Sequence, residues 1–168
     1  MKKILSERAK QWIEGLGMRQ HPEGGWFAEI YRSAGFIDQQ FLPGHKGARP
    51  YMTSIYFLLL PGEVSRFHRL KSDEIWYFHA GGSLLIHQID PKGEYSGAKI
   101  GQNLASGEQM QVVVPAGSWF GAETTSSEAV LVGCAVAPGF DFADFELADQ
   151  QTLLSAFSEH ATLIRRLT

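Results

Sequence analysis

The stretch Gly62-Glu63-Val64-Ser65-Arg66-Phe67-His68-Arg69-Leu70-Lys71-Ser72-Asp73-Glu74-Ile75-Trp76-Tyr77-Phe78-His79-Ala80-Gly81 decides the fold. Two runs of strand-forming residues flank the polar triplet Lys71-Ser72-Asp73, and a glycine closes each end, which reads as two strands around a short turn. Side chains alternate between the faces of a strand, so residues 68 and 70 share a face, and after the turn Glu74 points to the same side from the next strand. An imidazole and a carboxylate thereby converge on one point. Trp76 and Phe78 share Glu74's parity and are expected on the same wall, where a flat ring stacks on a sugar or a base. His79 falls on the opposite face.

Outward from this hairpin the same texture continues. From Trp26 to Ala137 short runs of Val, Ile, Tyr, Phe and Trp are separated by Pro61-Gly62, Gly81-Gly82, Pro91-Lys92-Gly93 and Pro115-Ala116-Gly117. This spacing predicts an antiparallel all-β sandwich or barrel. Helical periodicity brackets it: Ile4, Leu5, Ala9, Trp12, Ile13 and Leu16 share a face before Gly15 and Gly17, while Asp149 and Ser158 are expected caps for C-terminal helices carrying Leu153, Leu154, Phe157, Leu163 and Ile164. The segment Gly35 to Pro50, with Gly44 and Gly47, predicts a long loop placed to cover a barrel mouth. The expectation is one domain over residues 1–168.

Composition narrows the partners. The 15 Lys plus Arg against 18 Asp plus Glu leave a formal charge of −3, without the basic field that nucleic acid or an anionic membrane requires. Met1-Lys2-Lys3 begins like a leader, but Ser6-Glu7-Arg8-Ala9-Lys10 puts charge where an apolar segment belongs, so the expected location is the cytoplasm. Ile55 to Leu60 falls far short of the roughly 20 apolar residues that span a bilayer. The single cysteine, Cys134, lies in an apolar run and is expected as a small buried hydrophobe.

The hairpin resembles the first cupin motif, G-x5-H-x-H-x3-E-x6-G, with Leu70 in place of the second histidine. Pro115-Ala116-Gly117-Ser118-Trp119-Phe120 resembles the second, with Phe120 where that motif has histidine and Thr124 where it has asparagine. Two of the four metal-ligand positions therefore carry no donor. His68 and Glu74 alone would hold a divalent metal weakly, and a third ligand would have to come from His87 or Glu123. No firmly bound metal or other cofactor is expected. His21-Pro22-Glu23-Gly24-Gly25-Trp26-Phe27, Thr53 to Leu58, Asp73 to Phe78 and the closing Val132 to Phe142 are similar to a cupin-5 type subgroup, formerly a domain of unknown function, from about Leu16 to Thr168. The resemblance implies a cupin jelly-roll β-barrel with flanking helices, a general likeness to sugar-nucleotide epimerases and a homodimer, and carries no established reaction.

Two functions fit these residues. One is a metal-independent isomerase or epimerase on a carbohydrate-like or nucleotide-linked molecule, with His68 as general base, Glu74 setting its charge and tautomer, and Tyr56 as acid. The other is a non-catalytic small-molecule binder in which Trp76 and Phe120 stack and His68 only orients the ligand. A metal-dependent cupin enzyme is a third reading that needs a recruited ligand. Leu70 and Phe120 are expected to wall the His68 and Glu74 pair. Tyr56 and Ser54 contribute only if residues 53, 55 and 57 do not take the inward face. His21 belongs to a loop that either contacts the ligand or simply turns, and Arg32 either pairs with Glu29 at the surface or reaches an anionic ligand group. Asp141, Asp144, Glu146 and Asp149 are expected to face water while Phe140, Phe142 and Phe145 pin the chain to the barrel. An inaccessible, fully bonded His68 favours a binding or purely structural role; a deep pocket with a tyrosine facing His68 favours the enzyme.

Overall fold

Residues 5–168 are described by a computed structural model; Ile4 and the Met1-Lys2-Lys3 segment lie outside the described residues. The chain opens with helix α1 (Glu7–Gly15), whose first turn is capped by the Ser6 hydroxyl accepting from Ala9 N–H at 3.2 Å. Thirteen strands follow: β1 (Arg19–Gln20), β2 (Trp26–Arg32), β3 (Phe36–Ile37), β4 (Arg49–Pro50), β5 (Thr53–Leu59), β6 (Val64–Arg69), β7 (Asp73–Gly81), β8 (Leu84–Ile89), β9 (Tyr95–Ile100), β10 (Gln111–Val114), β11 (Trp119–Thr124), β12 (Val130–Ala137) and β13 (Glu146–Leu147). Two short helices, α2 (Gln150–Ala156) and α3 (Ala161–Leu167), end it.

The strands form two antiparallel sheets, ordered β1-β2-β5-β12-β7-β10 and β13-β6-β11-β8-β9, with β3 and β4 as a separate pair. Their inner faces meet in one apolar core, where Phe57, Trp76 and Val132 of the first sheet pack toward Ile86, Phe120 and Ala122 of the second. Each outer face is roofed by helix. Ala9 of α1 and Met18 pack on Leu58, Leu60 and Leu131, while Leu153 of α2 and Ile164 and Leu167 of α3 pack on Phe67, Ile89 and Trp119. Burying each of these large side chains contributes about 1.5–3 kcal/mol. The expected jelly roll with flanking helices is the fold observed.

Two expectations fail on placement. The 35–50 segment lies beside the barrel rather than over the cavity described below, because the buried Arg49 is tied by two hydrogen bonds to Asp144, at 2.6 Å and 3.0 Å. Asp144 is accordingly buried, not solvated with its acidic neighbours. The cavity is covered instead by the Phe140–Phe145 segment, where Phe142 stands 5.0 Å from Phe140 and 5.9 Å from Phe145 between ring centroids.

Candidate functional site

Between the sheets lies a cavity of about 430 Å³. Phe57, Ile55, Leu70, Trp76 and Val136 form its apolar wall, His21, Glu23, His68, Glu74 and Cys134 supply its polar groups, and Arg19, Glu29, Arg32, Asp141 and Phe142 ring its mouth. The hairpin brings His68 and Glu74 to this one cavity, as their spacing predicts.

Their partners differ from expectation. His68 does not lean on Glu74: its Nε2 lies 3.2 Å from Glu23 Oε2, and its Nδ1 donates to the Arg66 carbonyl at 2.7 Å. Glu23 Oε1 accepts from the Ser65 hydroxyl at 2.7 Å, and Glu23 Oε2 is also 3.3 Å from His21 Nδ1. Ser65 and His68 are three apart and would face opposite ways in a regular strand. The β6–β11 register shifts between Phe120 and Ala122, and this bulge turns both toward Glu23.

Glu23 reaches the interior because the two glycines after it let the loop press onto the sheets. Gly24 and Gly25 adopt φ of 110° and 72°, and a Cβ on either would collide with the Val64 or Leu58 carbonyl oxygen. The loop is then fixed by Arg66 N–H donating to Glu23 O at 2.8 Å.

Proton positions follow from these contacts. A carbonyl oxygen only accepts, so His68 Nδ1 carries hydrogen and Nε2 of the neutral ring is bare. Burial lowers the His68 pKa to about 4, which keeps the ring neutral at pH 7. His21 Nδ1 accepts the Glu23 backbone N–H at 3.3 Å, and burial again lowers the pKa of this ring. Glu23 Oε2 therefore faces two bare imidazole nitrogens, and burial raises its pKa. A proton on Glu23 Oε2 would be donated to His68 Nε2, while the Glu23 backbone N–H already serves His21 Nδ1. Glu74 is also pushed up, to about 8, by burial first and by the nearby Glu23 second. The Cys134 and Trp76 side chains beside it restrain that rise, although Trp76 Nε1 makes no hydrogen bond of normal geometry.

The remaining expected site residues divide. His21 lines the cavity, its ring edge-on to Phe27 at 4.7 Å. Arg32 stands at the mouth and is also paired, donating to both Glu29 oxygens at 3.0 Å and 2.7 Å and to the Phe140 carbonyl at 3.0 Å. Trp76 lines the cavity, whereas Phe78 packs against the barrel core away from it. Phe120 backs His68, with ring centroids 4.0 Å apart, and does not reach the cavity. Tyr56 and Ser54 are misplaced by the expectation, because strand β5 turns Thr53, Ile55 and Phe57 inward. Tyr56 instead packs under α1, 5.5 Å from His79, so it cannot act as acid in the cavity.

The cupin metal positions do not fit a metal in this chain. Leu70 and Phe120 offer no donor atom, and both His68 nitrogens are engaged by protein. His87 and Glu123, the candidate replacements, bond each other at 3.1 Å away from the cavity, with Arg166 donating to Glu123 at 2.8 Å. Among the described residues no three His, Cys, Asp or Glu side chains group as metal ligands. Sequence reasoning missed Glu23, Arg19 and Cys134 as cavity residues. The signal for Glu23 was the glycine pair that follows it.

The chain was compared with known proteins. Residues 10–148 match the Cupin_5 family, described as Cupin superfamily (DUF985). The uncharacterized protein YML079W of Saccharomyces cerevisiae is 30% identical over 146 residues, which span 80% of this chain and 72% of that protein. The crystal structure of protein SO0799 from Shewanella oneidensis shares 46% identity, covers 95% of this chain and 96% of its own, and superposes with a TM-score of 0.86. A hypothetical protein from Leishmania major shares 35% identity over 95% of this chain and 98% of its own, with a TM-score of 0.87. Oxalate decarboxylase of Bacillus subtilis shares the fold alone, at 18% identity over 90% of this chain and 37% of its own, with a TM-score of 0.55.

Proposed function

Since the chain belongs to the Cupin_5 family of the cupin superfamily, we propose that it binds a small polar organic molecule in the barrel without using a metal. The observation that supports this most directly is the cavity itself, which His21 and Glu74 line with polar groups among mainly apolar side chains. Polar groups kept in an apolar cavity of this volume cost stability unless a ligand or water completes their hydrogen bonds. His68 is inaccessible and bonded at both nitrogens, and no tyrosine faces it, which favours the binder over a His68-based isomerase.

A second reading has one specific support. Glu74, with its pKa near 8, exchanges a proton near neutral pH, so acid–base turnover through Glu74 in place of Tyr56 is chemically available. Native mass spectrometry of the purified protein, followed by metabolite identification, tests the binding reading. A stoichiometric small organic molecule supports it; stoichiometric zinc, iron or manganese that persists through dialysis refutes the metal-free part. Glu74→Gln then separates the two readings, since loss of one hydrogen bond costs about 0.5–1.5 kcal/mol of affinity whereas loss of an acid–base group removes roughly a hundredfold or more in rate.

We also propose a homodimer. Strand β1 pairs with Trp26 and Phe27, and among the described residues no other strand pairs with the outer edge of β2 beyond them, which carries Ile30 and Tyr31, 54% and 51% exposed. A second copy pairing along this edge would cover both.

A further inference from the structure

Hydrogen donors outnumber acceptors on one wall of the cavity. His21 accepts at Nδ1 from the Glu23 N–H, so the neutral ring carries its hydrogen on Nε2, which makes no hydrogen bond to protein among the described residues. Arg19 is two residues before His21 on the same chain face and lies at the mouth of the same cavity. Its guanidinium sits 4.9 Å over the Phe27 ring and has no carboxylate within ion-pair distance among the described residues.

The other charges at the mouth are committed. Arg32 is held by both Glu29 oxygens, which in turn neutralises Glu29, while Asp141 accepts the Ala143 N–H at 2.8 Å and acts through its charge on Arg32 rather than pairing with Arg19. One cation and one neutral donor thus remain for a ligand, beside the apolar surface of Phe27, Ile55 and Phe57.

We propose, resting on the reading that the cavity is the binding site, that its ligand is a small organic monocarboxylate, with the carboxylate between the Arg19 guanidinium and His21 Nε2 and an apolar body against Phe27, Ile55 and Phe57. A planar guanidinium suits the two carboxylate oxygens, and its stacking on Phe27 pre-orders it. A phosphate dianion fits less well, because a single cation in a largely apolar cavity leaves much of its desolvation uncompensated. Glu74, with its pKa near 8, is mostly uncharged at pH 7 and adds little like charge.

The test uses matched pairs of equal shape: benzoate with benzamide, and phenylacetate with phenylacetamide, titrated calorimetrically into the intact protein at pH 7. The acid of at least one pair is expected to bind about tenfold or more tightly than its amide, the difference that a charge-assisted over a neutral hydrogen bond supplies. Arg19→Gln, on an exposed edge strand, is expected to bring the acid down to the amide's affinity and leave the amide unchanged. Amides binding as well as acids, or an acid indifferent to Arg19→Gln, overturn the carboxylate assignment while leaving the cavity as the binding site. Binding of no acid and no amide at millimolar concentration overturns the assignment together with the reading beneath it.

Discussion

His68 Nε2 and Glu23 Oε2 sit 3.2 Å apart, joining the middle of β6 to the loop that precedes β2. Because His68 spends its own hydrogen on the Arg66 carbonyl, a hydrogen bond between these two atoms needs a further proton, and burial favours Glu23 as its holder by raising the Glu23 pKa and lowering that of His68. We predict that the pair is a neutral hydrogen bond, not an ion pair. Glu23→Gln should therefore be tolerated, since the amide N–H2 donates to His68 Nε2 and the amide oxygen still accepts from Ser65, for a loss under about 1 kcal/mol. Glu23→Ala leaves the Ser65 hydroxyl and His68 Nε2 unpaired and should cost about 1–3 kcal/mol for each buried group. Urea unfolding of the two variants measures both, and a Gln variant as unstable as the Ala variant would show an ion pair instead.

The pH dependence of stability has a calculable sign. The His68 pKa falls from 6.5 to about 4 on folding, so its contribution is complete above pH 6.5 and is lost as pH falls through about 4. Glu74 rises from 4.5 to about 8, so its contribution is complete below pH 4.5 and is lost as pH rises through about 8. His21 acts in the same sense as His68, and Glu23 in the same sense as Glu74. Between pH 6.5 and 8.5 the wild type should lose stability, and Glu74→Gln should flatten most of that slope. Chemical-denaturation midpoints at the two pH values decide it; an unchanged slope in the variant would locate the alkaline titration elsewhere.

The hairpin, the antiparallel sandwich or barrel and the bracketing helices were legible because each rests on local periodicity, while the jelly roll came from the family resemblance: Glu74 and Trp76 share a face whatever surrounds them. What failed was tertiary. Ser65 and His68 face one carboxyl only because of a bulge opposite Phe120, and no pattern within β6 announces it. Tyr56 and Thr53 have opposite parity on an apolar strand buried on both faces, so alternation could not choose between them. The acidic stretch after Pro138 read as solvated because the cation that pairs with buried Asp144, Arg49, arrives from strand β4, distant in sequence.

That Arg49–Asp144 pair should hold the Phe140–Phe145 segment in place over the cavity. Both side chains are nearly sealed from solvent, at 3% and 5% exposure, so removing one partner strands the other charge. Asp144→Asn should destabilise the protein by about 3–5 kcal/mol, whereas the double change Arg49→Met with Asp144→Leu should recover most of the loss by removing both charges. Thermal unfolding of the single and double variants checks this. A single variant within about 0.5 kcal/mol of wild type would mean that the pair is solvated in solution.

The open edge of β2 gives the last prediction. Trp26 and Phe27 are paired on that edge by β1, but the strand runs on to Arg32 with its outer edge paired to no other strand among the described residues. Open edges that carry large apolar side chains are stabilised by pairing with another strand, and a lysine placed there opposes such pairing by bringing two like charges together across a two-fold axis. Light scattering at micromolar concentration should give twice the 18.6 kDa chain mass for the wild type, and the chain mass itself for Ile30→Lys. Circular dichroism must match between them, because Ile30 is more than half exposed and contributes little to the core. A monomeric wild type would remove the dimer; a dimeric Ile30→Lys would keep it but move the interface off this edge.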